Sequence, residues 1–111
     1  MTEIRMDWET MTLTGDGHAG GGPNGKDPIC AGISALVMAL LNQVNDEEDM
    51  NALYKYNEQA GRILIHVEPR NHAARRRARH YFRVIITGLE AWEKSFPENV
   101  MLEEVNKDGT D

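Results

Sequence analysis

The side chain best suited to covalent chemistry in this 111-residue chain is its single cysteine, Cys30. Asp27-Pro28 has the pattern of an N-cap followed by proline at the first helical position, which places Cys30 in the first turn of a predicted helix. Because the dipole and unpaired N–H groups of a helix N-terminus stabilise a thiolate, we expect the pKa of Cys30 to lie below its usual value of about 8.5. The alternative is that a lone cysteine is a small buried hydrophobe.

A histidine that could act as a base lies twelve residues before the cysteine. His18 is in a loop, Gly15–Gly25, in which six of the eleven residues are glycine, and no helical periodicity makes it a core residue. Such a loop can fold back onto the helix N-terminus and bring the imidazole within reach of the sulfur. A base, a thiol and oxyanion donors from the start of the helix are sufficient for nucleophilic catalysis.

Two further polar residues accompany this Cys-His pair. Asp27 is an N-cap by position, and it could also orient His18 as the third member of a triad. Ser34 lies one turn after Cys30 on the same helical face, where its hydroxyl either orders the site or bonds the backbone carbonyl of residue 30. At this point both roles remain open for each residue.

The sequence predicts neither a cofactor nor a metal. The G-x-G-x-x-G pattern at Gly15–Gly20 does not join a strand directly to a helix, as a dinucleotide fold requires. The G-x-x-x-x-G-K pattern at Gly20–Lys26 is followed by Asp27, where a phosphate loop needs Ser or Thr to hold Mg²⁺. One cysteine cannot form a cysteine-rich zinc site, and His72 and His80 lie too far apart along a helix to share one ion.

The hydrophobic pattern predicts the elements that must position these residues. Alternation over 3–14 slips in phase near residues 9 and 10, which indicates short strands with a bulge or break. We expect an α+β fold in the order β-α-β-β-α-β, with one small mixed sheet, two packed helices and a single domain over 1–111 that ends in a polar tail at 106–111. The later predicted elements are a helix at about 28–44, strands at 50–56 and 62–68, a helix at about 71–95 and a strand at 100–105.

Charge and composition exclude several classes of function. Six arginines lie between Arg70 and Arg83 without any acid, whereas the other six Lys and Arg face eighteen acids, so the formal net charge is −6. The chain as a whole is therefore not a basic nucleic-acid binder, although one helix face could be. No apolar run reaches about 20 residues and the N-terminus has no signal-like apolar segment, so we expect no membrane span and, with one cysteine, a cytoplasmic setting.

The motifs around the pair resemble those of a known family. Gly17-His18-Ala19-Gly20 and then Asp27-x-x-Cys30-Ala31-x-x-Ser34-Ala35-Leu36 are similar to the motifs of the bacterial ribosomal-processing cysteine protease family, Prp, with the same interval from His to Cys. The ending Phe96-Pro97-Glu98-Asn99-Val100 resembles the close of that family's sequences. The resemblance covers about residues 10–105, and its His/Asp/Cys/Ser motif is the specific part.

This resemblance implies a small α/β sandwich that forms a homodimer and needs no cofactor. The implied activity is endoproteolysis that removes an N-terminal extension from a large-subunit ribosomal protein, with the cut after an aromatic residue. Carried over residue by residue, His18 is the base, Cys30 is the nucleophile, and Gly17, Asp27 and Ser34 are supporting positions. Fourteen residues precede the loop, fewer than the family's full N-terminal hairpin usually has.

Other functions remain open on the sequence. A phage-borne relative could act on a capsid or scaffold protein instead of a ribosomal protein. A non-catalytic homologue, or a binding module that docks RNA or an acidic protein on the arginine-rich helix face, is the alternative from a different class. Loss of Cys30 would leave such a binding function intact, which distinguishes it from a protease.

Overall fold

Seven elements make up the fold in a computed structural model, which describes residues 1–23 and 25–107. Within the predicted polar tail at 106–111, residues 108–111 lie outside the described residues. The elements in chain order are β1 (Thr2–Asp7), β2 (Thr12–Asp16), α1 (Pro28–Asn45), β3 (Met50–Asn57), β4 (Arg62–Pro69), α2 (His72–Ser95) and β5 (Val100–Val105).

The strands form one mixed sheet in the order β3-β4-β2-β1-β5. The pairs β1–β2, β2–β4 and β3–β4 are antiparallel, whereas β5 lies parallel to β1. The α+β class with a mixed sheet and two helices is confirmed. The predicted order β-α-β-β-α-β is corrected at its start, because the phase slip separates two paired strands and the order is β-β-α-β-β-α-β. The fourteen residues before the loop, fewer than the family's full N-terminal hairpin usually has, therefore form a hairpin of β1 and β2.

One face of the sheet and both helices enclose the core. Ile4 and Met6 alternate with exposed residues along β1, so their side chains point to the same face, and Trp8 directly after the strand is also buried. Trp8 is 1% exposed and packs edge to face against Phe82 of α2, with ring centroids 6.2 Å apart. Leu40 of α1 belongs to the same cluster, so the two helices and the sheet share a single apolar core.

Helix α1 is only half covered. Ile29, Ile33, Val37, Leu40 and Val44 are buried, in the three- and four-residue spacing of one helical face. By length and composition alone α1 is long and apolar enough to cross a membrane. From the sequence we expected no span, because no apolar run reaches about 20 residues. One face of α1 packs against the sheet and α2, and one such helix is weak evidence for a span.

The arginine-rich face of α2 is engaged within the chain. Arg77 pairs with Asp49 and Glu47, and Arg83 pairs with Glu104 at 3.4 Å and lies 4.6 Å from the centroid of the Trp8 ring. The acidic partners of these two arginines therefore lie within the same chain.

Close packing of α1 on α2 generates a stability prediction. A Cβ at Gly32 would overlap the ring of Trp92, whereas a Cβ at Gly88 would lie 3.0 Å from the end of the Leu36 side chain. Gly32→Ala should lower the free energy of unfolding by about 1–3 kcal/mol through overpacking, because the aromatic ring cannot bend away. Gly88→Ala is the matched control: Leu36 can adjust, and alanine gains up to about 1 kcal/mol of helix propensity. Equal effects of both changes in urea unfolding would contradict this packing.

Candidate active site

A cavity of about 180 Å³ lies where the ends of β2 and β4 approach the first turn of α1. The structure brings all five predicted site residues to this cavity. They are Gly17, His18, Asp27, Cys30 and Ser34. Segments far apart in the sequence form the rest of the cavity wall, and the β3–β4 hairpin contributes Tyr56 and Gly61.

Cys30 occupies the predicted place in the first turn of α1. Asp27 caps the helix in an extended conformation, and its Oδ1 accepts the N–H of Ile29 at 2.9 Å and that of Cys30 at 3.4 Å. The N-cap prediction is thus confirmed. The Cys30 thiol donates to Asp27 Oδ2 at 3.4 Å, and its sulfur accepts the main-chain N–H of Ala19 at 3.4 Å.

These contacts change the expected reactivity of the thiol. Burial raises the pKa of Cys30, the Ala19 N–H lowers it, and the neighbouring Asp27 carboxylate raises it again, so that the pKa lies above its ordinary value. The expectation of a pKa lowered by the helix N-terminus is therefore wrong. The N–H groups of Ile29 and Cys30 that would have stabilised a thiolate are bonded to Asp27.

Asp27 is an ionised carboxylate held in a buried position, 7% exposed. Burial alone would raise its pKa, but hydrogen bonds from the Gly21 and Ile29 N–H groups and from Cys30 lower it below the ordinary value. The Gly21 N–H donates to Oδ2 at 3.0 Å, which ties the glycine-rich loop to the helix start. In the described part of the chain, no hydrogen bond joins Asp27 to His18.

His18 is held from the opposite side of the cavity. Its Nε2 lies 3.1 Å from the main-chain oxygen of Gln59 in the β3–β4 hairpin. The N–H of Gly17 donates to the Gly61 oxygen at 3.0 Å, so the hairpin also binds the backbone next to the histidine. The ring and the thiol border the same cavity, and each is bonded to a different partner.

Sequence reasoning missed two contributors to this arrangement. One is the hairpin backbone at Gln59 and Gly61, which carries no side-chain signature of its role. The other is Asn99. Its side-chain amide donates to the main-chain oxygen of Ala19 at 2.8 Å, and its main-chain oxygen accepts the Thr2 N–H at 2.9 Å. The position of Asn99 in the Phe96–Val100 motif was the available signal.

Within residues 1–23 and 25–107, no group of three or more His, Cys, Asp or Glu residues could hold a metal ion.

Comparison with known proteins identifies the family. The profile of the family described as cysteine protease Prp matches residues 1–101. The chain belongs to the cysteine protease Prp family. Its enzymatic activity is accordingly that of a cysteine protease. The family resemblance inferred from the His-to-Cys motif is confirmed. No curated protein matches the chain.

Solved Prp structures share the fold. An essential ribosomal processing protease Prp from S. aureus, in complex with a covalently linked product peptide, superposes with a TM-score of 0.78 at 22% identity, over 94% of this chain and 99% of that chain. The protein SMU.848 from Streptococcus mutans gives a TM-score of 0.69 at 21% identity, over 93% of this chain and 90% of that one. At these identities the likeness concerns the fold.

The contact between Asp27 and the thiol generates a prediction about reactivity. In Asp27→Asn the capping oxygen is kept but the negative charge beside the sulfur is lost, so the pKa of Cys30 should fall. The midpoint of the iodoacetamide alkylation rate against pH should therefore move to lower pH than in the wild type. Urea unfolding should show a loss of about 1–3 kcal/mol, because the Asn amide has one acceptor oxygen and cannot also accept the Gly21 N–H. An unchanged midpoint, or one that rises, would show that the carboxylate does not control the thiol.

Proposed function

We propose that this Prp-family protease removes an N-terminal extension from a ribosomal protein, with Cys30 as nucleophile and His18 as base. The observation that carries the proposal is the cavity bordered by both side chains, with an ionised carboxylate and a main-chain N–H at the sulfur. The family match over residues 1–101 supports the same chemistry. Gly17, Asp27 and Ser34 are the supporting positions.

The proposed reaction starts from a protonated thiol. Because the pKa of Cys30 is raised in the free protein, the resting site holds little thiolate at neutral pH. When substrate enters, the thiol must therefore break its hydrogen bond to Asp27 and transfer its proton to His18. The thiolate then attacks the peptide carbonyl, His18 protonates the leaving amine, and water hydrolyses the thioester.

The donor for the developing oxyanion differs from the one expected. The N–H groups at the start of α1 were expected to serve, but Asp27 accepts those of Ile29 and Cys30. The Ala19 N–H, 3.4 Å from the sulfur, is the described donor that points at the reacting atom. In the proposed mechanism it stabilises first the thiolate and then the negative charge on the tetrahedral intermediate.

The substrate class rests on the related structures and on the walls of the cavity. The S. aureus relative is a ribosomal processing protease, solved with a substrate peptide as well as with a product peptide. In this chain Ile33, Tyr56 and Ile63 line the cavity beside the sulfur, and such a lining fits an apolar or aromatic side chain next to the cleaved bond. Ribosomal proteins are made and assembled in the cytoplasm, which is the proposed location.

Activity should fail in different ways when the two partners are changed. Cys30→Ala removes the bond-forming atom and should abolish cleavage of a peptide that spans the N-terminal extension of a large-subunit ribosomal protein. His18→Ala removes proton transfer and should lower the rate by about 10² to 10⁴. Mass spectrometry of the products measures both effects, and peptides from phage capsid and scaffold proteins are assayed in parallel. Cleavage that survives Cys30→Ala would overturn the proposal.

We also propose a homodimer formed through the uncovered face of α1. Ala31, Ala35 and Met38 are exposed on this face, and Met38 is 38% exposed. A second copy packed by a two-fold axis would cover this apolar surface. Sedimentation at micromolar concentration should give a dimer that Ala35→Glu dissociates. Val84 of α2 is 69% exposed, and Val84→Glu is the control that should leave the dimer intact. A monomer in the wild type would refute the proposal.

A further inference from the structure

The contact of His18 with the hairpin fixes which ring nitrogen carries a proton. Nε2 lies 3.1 Å from the Gln59 main-chain oxygen. A carbonyl oxygen can only accept a hydrogen bond, so Nε2 must be the donor and must hold a proton. In the neutral ring the other nitrogen, Nδ1, then has the free lone pair. The hairpin therefore selects one of the two neutral tautomers of the imidazole.

Gly61 is the residue that lets the hairpin come this close. A Cβ at this position would lie 3.1 Å from the ring nitrogen Nδ1 of His18, 3.0 Å from the main-chain nitrogen of His18 and 2.9 Å from the carbonyl carbon of Gly17. Its φ of +63° also falls in the left-handed region that side chains rarely adopt. The Gly61 oxygen accepts the Gly17 N–H at 3.0 Å, so the two backbones dock directly.

The turn that carries the Gln59 carbonyl is itself held by hydrogen bonds. The Oδ1 of Asn57 accepts the N–H of Ala60 at 3.1 Å, and the Gly61 N–H donates to the Glu58 oxygen at 3.3 Å. The Ala60 N–H and the Gln59 carbonyl belong to the same peptide group. Because Asn57 bonds this N–H, it sets the direction in which the Gln59 carbonyl points. The orientation of the ring thus depends on Asn57 through one peptide plane.

We propose that the β3–β4 hairpin performs the orienting role that a third triad member performs elsewhere, with Gln59, Gly61 and Asn57 as positioning residues for His18. This inference rests on the proposed function, because it assigns the base within the Cys30–His18 pair. When the Cys30 S–H bond breaks, its proton goes to Nδ1 and the electron pair stays on the sulfur. The resulting imidazolium still donates from Nε2 to Gln59, and the Nδ1 proton passes later to the leaving amine.

The first test measures the tautomer and needs no substrate. Long-range ¹⁵N–¹H NMR of the full chain at a pH where the ring is neutral should show His18 with its proton on Nε2 alone. Gly61→Ala pushes the hairpin away and Asn57→Ala releases the peptide plane, so each should give a mixture of the two tautomers. Ala60→Ser, in the same turn but with its backbone bonds kept, is the control and should match the wild type.

The second test measures catalysis with the peptide that the wild type cleaves. Gly61→Ala and Asn57→Ala should lower kcat by about 10- to 100-fold, part of the usual contribution of a positioned base. For Asn57→Ala the KM should change by less than about twofold, because Asn57 does not line the cavity. In a His18→Ala background neither change should lower kcat further, since both act through that ring. If Gly61→Ala fails to fold, Asn57→Ala carries both tests.

The outcomes separate this inference from the proposed function. If His18→Ala lowers kcat but the hairpin variants change neither kcat nor the tautomer, the hairpin is only structural and the inference is overturned. An additive loss of kcat in the His18→Ala background would overturn it as well. If the wild type cleaves no peptide, or cleaves without Cys30, the proposed function fails, whereas the tautomer measurement still shows whether Gln59 orients the ring.

Discussion

The Asp27 carboxylate is the group on which the geometry of the site depends. Oδ1 accepts the first N–H groups of α1, and Oδ2 accepts the Gly21 N–H of the glycine-rich loop and the Cys30 thiol. A buried carboxylate stays ionised only when such donors surround it. One charge therefore caps the helix, closes the loop onto it and adds to the effect of burial in keeping the sulfur protonated.

This arrangement shows how the proposed nucleophile is positioned before it is activated. The burial of Cys30 and the negative charge at Asp27 both favour the protonated thiol, so the proposed mechanism relies on a base rather than on a preformed thiolate. His18, the proposed base, is held by a different contact, on the hairpin that forms the opposite wall. Positioning and activation are thus supplied by separate elements that meet at one cavity.

Much of this fold follows from sequence patterns because the patterns are local. Asp27-Pro28 predicts the start of α1, and the alternation around Ile65 predicts a strand; both are present. The separation of β1 from β2 was ambiguous, because a phase slip is equally consistent with a bulge and with a turn. The interval from His18 to Cys30 carried the family resemblance, and the structure brings both residues to one cavity.

The features that sequence could not predict depend on groups distant in the chain. The ion pair of Arg77 with Asp49 joins residues whose proximity arises only when α2 packs beside the end of α1. The pKa of Cys30 depends on the direction in which the Asp27 side chain points, and a cap position alone does not specify that direction. The Gln59 contact uses a backbone oxygen, which every residue type possesses, so no residue identity could indicate it.

The central claim, that Cys30 forms the covalent intermediate with His18 as its proton partner, is tested most directly by trapping that intermediate. Rapid-quench mass spectrometry of the intact protein with a cleavable ribosomal-protein peptide should show a transient adduct. The added mass should equal the N-terminal acyl fragment, located on Cys30, and the adduct should form more slowly in His18→Ala. Product formation without any adduct on Cys30, at the same rate in Cys30→Ala, would contradict the account.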